Sequence, residues 1–108
     1  MTIYYYPDDY GLELIGTAEE ENLEYEFSMF AVWRDKTTGL LFYADSSGCS
    51  CPSPFEEYGS VNDLHSGDIH HILDALDVWV QDYYGYGEEN NNRAGPAMNL
   101  REKLVNFV

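Results

Sequence analysis

The chain has 108 residues and a formal net charge of −15, from twenty aspartates and glutamates against five lysines and arginines. That length suits one hydrophobic core and leaves too little for a second, and a field of that sign repels phosphate backbones and anionic membranes, which speaks against direct binding to nucleic acid or lipid. Apolar residues make up 44% of the chain and aromatic residues 16%, enough to bury a core and to exclude a disordered acidic tail.

Residues 1–10 form a tyrosine-rich N-terminal segment carrying Tyr4, Tyr5, Tyr6 and Tyr10, with Pro7-Asp8-Asp9 as a turn into the first regular element. Leu12-Glu13-Leu14-Ile15-Gly16 reads as a strand, and Glu19, Glu20, Glu21 and Asn22 as a polar connection. Over residues 24–34, Tyr25, Phe27, Met29, Ala31 and Trp33 alternate with Glu24, Glu26 and Ser28, which is the period of a strand. Phe30 and Val32 make its second half apolar on both faces. The pattern predicts a central strand, covered by helix on one side and by loops or the N-terminal tyrosines on the other.

Asp35-Lys36-Thr37-Thr38-Gly39 has the composition of a hairpin turn, and residues 40–44 return as the paired strand. Residues 45–59 turn to Ser, Gly, Cys and Pro and read as a structured loop. Ser60 caps a short helical turn over 61–65, and Ser66 or Asp68 opens the main helix. There Ile69, Ile72, Leu73, Leu76, Val80 and Tyr83 recur at spacings of three and four. Residues 85–96, rich in Gly and Asn, read as a flexible loop, after which Asn99 caps a short helix with Leu100, Leu104 and Val105. The fold class is α+β: a three-stranded antiparallel β-meander packed against one main helix, plus a short C-terminal helix, in a single domain spanning 1–108.

No stretch of about 18 apolar residues occurs and the N-terminus lacks a signal-peptide pattern, so the sequence predicts a cytosolic protein that does not engage a membrane. The sharpest local feature is the run from Asp45 through Cys49 and Cys51 to Glu56, followed by His65, His70 and His71. Two thiolates and two imidazoles, Cys49, Cys51, His65 and His70, make a candidate tetrahedral zinc set, although one residue between the cysteines is shorter than the usual spacing. The alternative is that the cysteines are small apolar residues of a tight loop and that no cofactor is bound. A cysteine–histidine nucleophile can be drawn from the same residues, but no nucleophile motif surrounds them, and the acids are too numerous for a catalytic pair to be singled out. The sequence predicts no enzyme.

A second pattern interleaves acids with tyrosines. Residues 37–92 hold ten acids and no lysine or arginine. Asp74, Asp77 and Asp82 fall on the polar side of the main helix, and Tyr83, Tyr84, Tyr86, Glu88 and Glu89 follow it. Tyrosine supplies rigid contact area with a polar tip, while carboxylates steer a basic partner. These eight residues are the candidate partner-binding set, with a carboxylate row standing in for a phosphate strand.

Gly11-Leu12-Glu13-Leu14, Val32-Trp33-Arg34-Asp35 and the Gly48-Cys49-Ser50-Cys51-Pro52-Ser53-Pro54-Phe55-Glu56 loop resemble a family of small acidic proteins of unknown function encoded by bacteriophages of actinobacteria. The resemblance covers roughly residues 10–58 and carries no activity or site with it. It implies a phage gene product acting in the cytoplasm of the infected host. Together with the acidic surface it predicts a non-enzymatic protein that binds a basic host protein, as a nucleic-acid mimic in one version. A zinc-stabilised small domain and a virion accessory protein are the alternatives.

Overall fold

The computed structural model describes residues 2–23, 25–49, 54–83 and 91–107, with the backbone alone at residue 49. Within them lie four strands and two α-helices: β1 Leu12–Glu19, β2 Glu26–Asp35, β3 Leu41–Cys49, β4 His65–Ser66, α1 Ile69–Gln81 and α2 Ala94–Phe107. The strands form one antiparallel sheet in the order β1-β2-β3-β4.

The fold is organised around β2, in which residues 28–33 are all buried. Phe30 and Val32 point toward the helices, where they cluster with Ile72, Leu76 and Trp79 of α1 and with Ala97, Leu100 and Leu104 of α2. Met29, Ala31 and Trp33 point the other way and cluster with Ile3, Leu12, Ala44, Phe55 and Leu64. The apolar run on both faces of β2 thus finds cover on both: two helices on one side, the N-terminal segment and the connection 54–64 on the other.

β1 serves both layers through a bulge between Leu14 and Gly16. One extra residue reverses the pleat, so Leu12 faces the second core whereas Ile15 and Ala18 face the helices. Gly16 then lies beneath α2, where a Cβ would come within 3.0 Å of Leu100 Cδ1. The β2–β3 hairpin closes as its composition predicts. Gly39 takes a positive φ of 78°, and the Asp35 carboxylate accepts from the amides of Thr37 at 2.8 Å and Thr38 at 2.9 Å. Those two bonds hold the Asp35 carboxyl below the usual range.

Four features differ from the sequence reading. The sheet has four strands instead of three, because His65–Ser66 pairs with Phe42 and Tyr43; two residues carry no readable period. Residues 45–49 are strand where a loop was predicted, since the N-terminal half of β2 needs a hydrogen-bonding partner and takes Asp45–Cys49. Ser46 is buried there, and its hydroxyl accepts from the Phe55 amide at 3.1 Å and donates to Glu57 Oε1 at 2.7 Å. The C-terminal helix begins at Ala94, not Asn99, because Pro96 falls in the first turn, where a missing N–H costs nothing. Of the predicted flexible loop 85–96, residues 85–90 lie outside the described residues, while residues 91–96 are tied into the fold. Of the two candidate helix openers, Asp68 is the cap: its carboxylate accepts from the His71 amide at 2.9 Å.

Candidate partner-binding site

Four of the five basic residues are spent on intrachain ion pairs: Arg34 with Glu13, Lys36 with Asp8, Arg93 with Glu20 and Arg101 with Asp77. The fifth, Lys103, lies against Gly16. None of them comes from residues 37–92, a stretch with ten acids in sequence; among the described residues one of those acids, Asp77, is ion-paired, with Arg101.

The three aspartates expected in one row on α1 are all exposed but do not share a face. Asp77 turns to α2 and pairs with Arg101, whereas Asp82, about 140° around the helix axis, caps the C-terminus of α1 on the flank facing β3. Asp74 points to solvent between them. The row is split because the helix packs against α2 on one flank and the sheet on the other. Tyr83 is half-buried at the end of α1; Tyr84, Tyr86, Glu88 and Glu89 lie outside the described residues.

On the β3 flank a cleft of about 330 Å³ opens between Ala75, Val78, Trp79 and Asp82 of α1 and Phe30, Tyr43, Asp45 and His65 of the sheet. The register aligns it: Phe30 pairs with Asp45 and Tyr43 with His65, which sets all four side chains on the helix-facing side. Tyr43 is the hub of the wall, with ring centroids 5.9 Å from Phe30, 5.3 Å from His65 and 5.8 Å from His71. Asp45 and Asp82 are exposed and make no ion pair among the described residues. The lining contains neither serine, threonine nor cysteine among the described residues. The arrangement has the chemistry to hold a cation, and it offers no alcohol or thiol nucleophile beyond the Tyr43 phenol.

Arg93, which composition alone could only count as one of five cations, joins α1 to β2 and to the residue that follows β1. Its Nε donates to Glu20 Oε1 at 2.7 Å, Nη1 to the Trp79 carbonyl at 2.6 Å and Nη2 to Ser28 Oγ at 2.9 Å. The guanidinium also lies over the Trp79 ring, 4.8 Å from its centroid. Asn91 adds a bond to the Val80 carbonyl at 2.8 Å. The Trp79 and Val80 carbonyls near the end of α1 are therefore met by the residues that lead into α2.

A family model described as a domain of unknown function (DUF7574) matches residues 1–100. The chain belongs to this family. The match extends well past the segment that carries the sequence resemblance and takes in the sheet and α1. Searches of curated proteins and of solved structures found no match.

In this DUF7574 chain the candidate zinc ligands that fall among the described residues do not share one place in the backbone. Tyr43 pairs with His65 while Cys49 pairs with Glu26 at the far end of β3, and the strand from Tyr43 to Cys49 spans roughly 20 Å. His70 is exposed in the first turn of α1, and Cys51 lies outside the described residues. A chelator is accordingly expected to leave the melting temperature unchanged. A fall of more than a few degrees on chelation, reversed by added zinc, would show the opposite.

The tyrosines divide by environment. Tyr5, Tyr6 and Tyr25 are 57%, 52% and 82% exposed, whereas burial pushes the phenols of Tyr4, Tyr43 and Tyr58 above their ordinary pKa, with nearby carboxylates adding to it at Tyr4 and Tyr58. Above about pH 10 the folded chain holds protons that the unfolded chain releases, so stability falls as pH rises through that window. An ultraviolet titration of tyrosinate is expected to be biphasic, and variants Tyr43→Phe and Tyr58→Phe to remove amplitude from the late phase. A single transition at the ordinary tyrosine value would contradict the burial of these rings.

Proposed function

We propose that this chain is a non-enzymatic binding protein whose acidic, tyrosine-bearing surface occupies a basic surface on another protein. The observation that supports this most is the charge arrangement: four of five cations are paired inside the chain, and residues 37–92 carry ten acids and no lysine or arginine, of which Asp77 is ion-paired, with Arg101, among the described residues. Crowded carboxylates repel one another, and a basic partner relieves that repulsion on binding while being steered in by the same field.

The resemblance to actinobacterial phage proteins makes a protein of the infected bacterium the partner of choice and its cytoplasm the place. Imitation of a phosphate strand is not needed for this reading, because Asp77 and Asp82 stand on opposite flanks of α1. The test is capture from nuclease-treated lysate of an actinobacterial host, with an Asp74→Lys, Asp77→Lys, Asp82→Lys variant as control. One enriched basic protein, retained by the wild-type chain and lost by the variant, is the expected result. Equal capture by both baits would overturn the role of α1, and an empty wild-type lane would overturn the reading.

A further inference from the structure

We infer that the cleft between the C-terminal half of α1 and β3 is a receptor for one arginine side chain presented by a protein partner. The inference rests on the acidic-surface reading above and gives it a specific site and a specific chemical group.

Three independent features converge on a cation at this place. Asp45 from β3 and Asp82 from the end of α1 line the cleft from opposite walls, and neither is paired with a cation among the described residues. Between them the wall is aromatic, with Tyr43 beside His65 and Phe30 beneath. The third feature is the position of Asp82. It sits at the C-cap of α1, in a last turn that holds no basic residue, and a carboxylate at the negative end of a helix dipole destabilises the free protein. A cation bound in the cleft removes that penalty.

The chemistry of the lining favours guanidinium over ammonium. A guanidinium is planar and weakly hydrated; it packs flat on aromatic rings and offers donors in two directions, which suits carboxylates on two walls. Val78, 54% exposed at the rim, gives the methylene stem an apolar surface to cover. The volume of about 330 Å³ lies at the small end of the roughly 300–1,000 Å³ range of ligand clefts, the size for one side chain. Arg93 meets the Trp79 carbonyl, but its ion pair is with Glu20 and not with Asp82.

The experiment is an NMR titration of the full chain with N-acetyl-arginine amide, with the isosteric but neutral N-acetyl-citrulline amide and with N-acetyl-lysine amide. Saturable shifts at the amides of Tyr43, Asp45, His65, Val78 and Asp82 are expected with arginine, weaker ones with lysine and none with citrulline. Asp45→Asn with Asp82→Asn should weaken arginine binding by about tenfold or more, the equivalent of removing two charge-assisted contacts. Asp82→Asn alone should raise the melting temperature while it weakens binding, a pairing that a purely structural aspartate does not produce. Non-saturating shifts spread over all acidic segments, or equal binding by the double variant, would overturn the cleft. So would lysine binding as tight as arginine.

Capture of the partner separates this inference from the broader reading. Capture lost with the Asp74, Asp77, Asp82 reversal but untouched by Asp45→Asn with Asp82→Asn overturns the cleft and leaves the acidic surface standing. Saturable arginine binding in a chain that captures no protein supports the cleft chemistry and overturns the surface reading.

Discussion

Replacing Arg93 with methionine is expected to lower the melting temperature by roughly 10 °C or more, the loss that corresponds to the low end of the about 3–5 kcal/mol cost of removing one partner from a buried ion pair in a domain of this size. The side chains of Arg93 and Glu20 are only 13% and 11% exposed, and the guanidinium also serves the Trp79 carbonyl and Ser28. Methionine fills the space but leaves Glu20 charged with no cation beside it. The cost therefore lies in the stranded carboxylate more than in the lost bonds. Adding Glu20→Gln to the variant should return a substantial part of the stability, because the buried charge is then gone. Thermal unfolding followed by circular dichroism measures both; a single variant that melts with the wild type would show that Glu20 is solvated.

Phe55→Ala is expected to cost about 3–5 kcal/mol, the range for truncating a fully buried phenylalanine. Phe55 is 0% exposed and its ring meets Trp33 edge-on at 5.3 Å, Tyr4 at 5.4 Å and Tyr58 at 6.0 Å. It is the residue that pins the connection 54–64 onto the second face of the sheet, helped by the Tyr58 hydroxyl donating to the Asp45 carbonyl at 2.7 Å. Its φ of 63° adds strain that the packing must offset. The two tryptophans lie in different cores, Trp33 in the second and Trp79 in the one beneath the helices. In the variant the emission of Trp33 should shift to longer wavelength while Trp79, read in a Trp33→Phe background, stays put. Equal shifts of both would contradict the separation of the layers.

The parts of this fold that were legible in the sequence are those with a period. Alternation over β2 and the three-and-four spacing of Ile72, Leu76 and their neighbours in α1 give those elements directly, and the doubled apolar face of β2 gives the two-sided cover. The hairpin was legible because Asp35 and Gly39 answer a specific backbone demand. What stayed hidden depends on pairing across the chain. Ser46, Ser47 and Gly48 look like loop until β2 requires a partner, and His65–Ser66 is strand only because β3 lies beside it. Arg93 was hidden for the same reason: its partners are 73 and 65 residues away at Glu20 and Ser28.

The site was legible only in outline. The sign of the surface and the exposure of Asp74, Asp77 and Asp82 follow from composition and helix phase. Their division does not, because it depends on which flank of α1 meets α2. Asp45, which faces Asp82 across the cleft, was read as a loop residue, and no local pattern joins two aspartates 37 positions apart by number.

The most direct test of the binding account is the affinity of the captured partner as a function of salt, measured by titration calorimetry for the wild-type chain and for the Asp74, Asp77, Asp82 reversal. The account predicts an affinity that falls steeply as ionic strength rises, and a reversed variant that binds weakly with little salt dependence. An affinity that is flat in salt and unchanged by the reversal would contradict it.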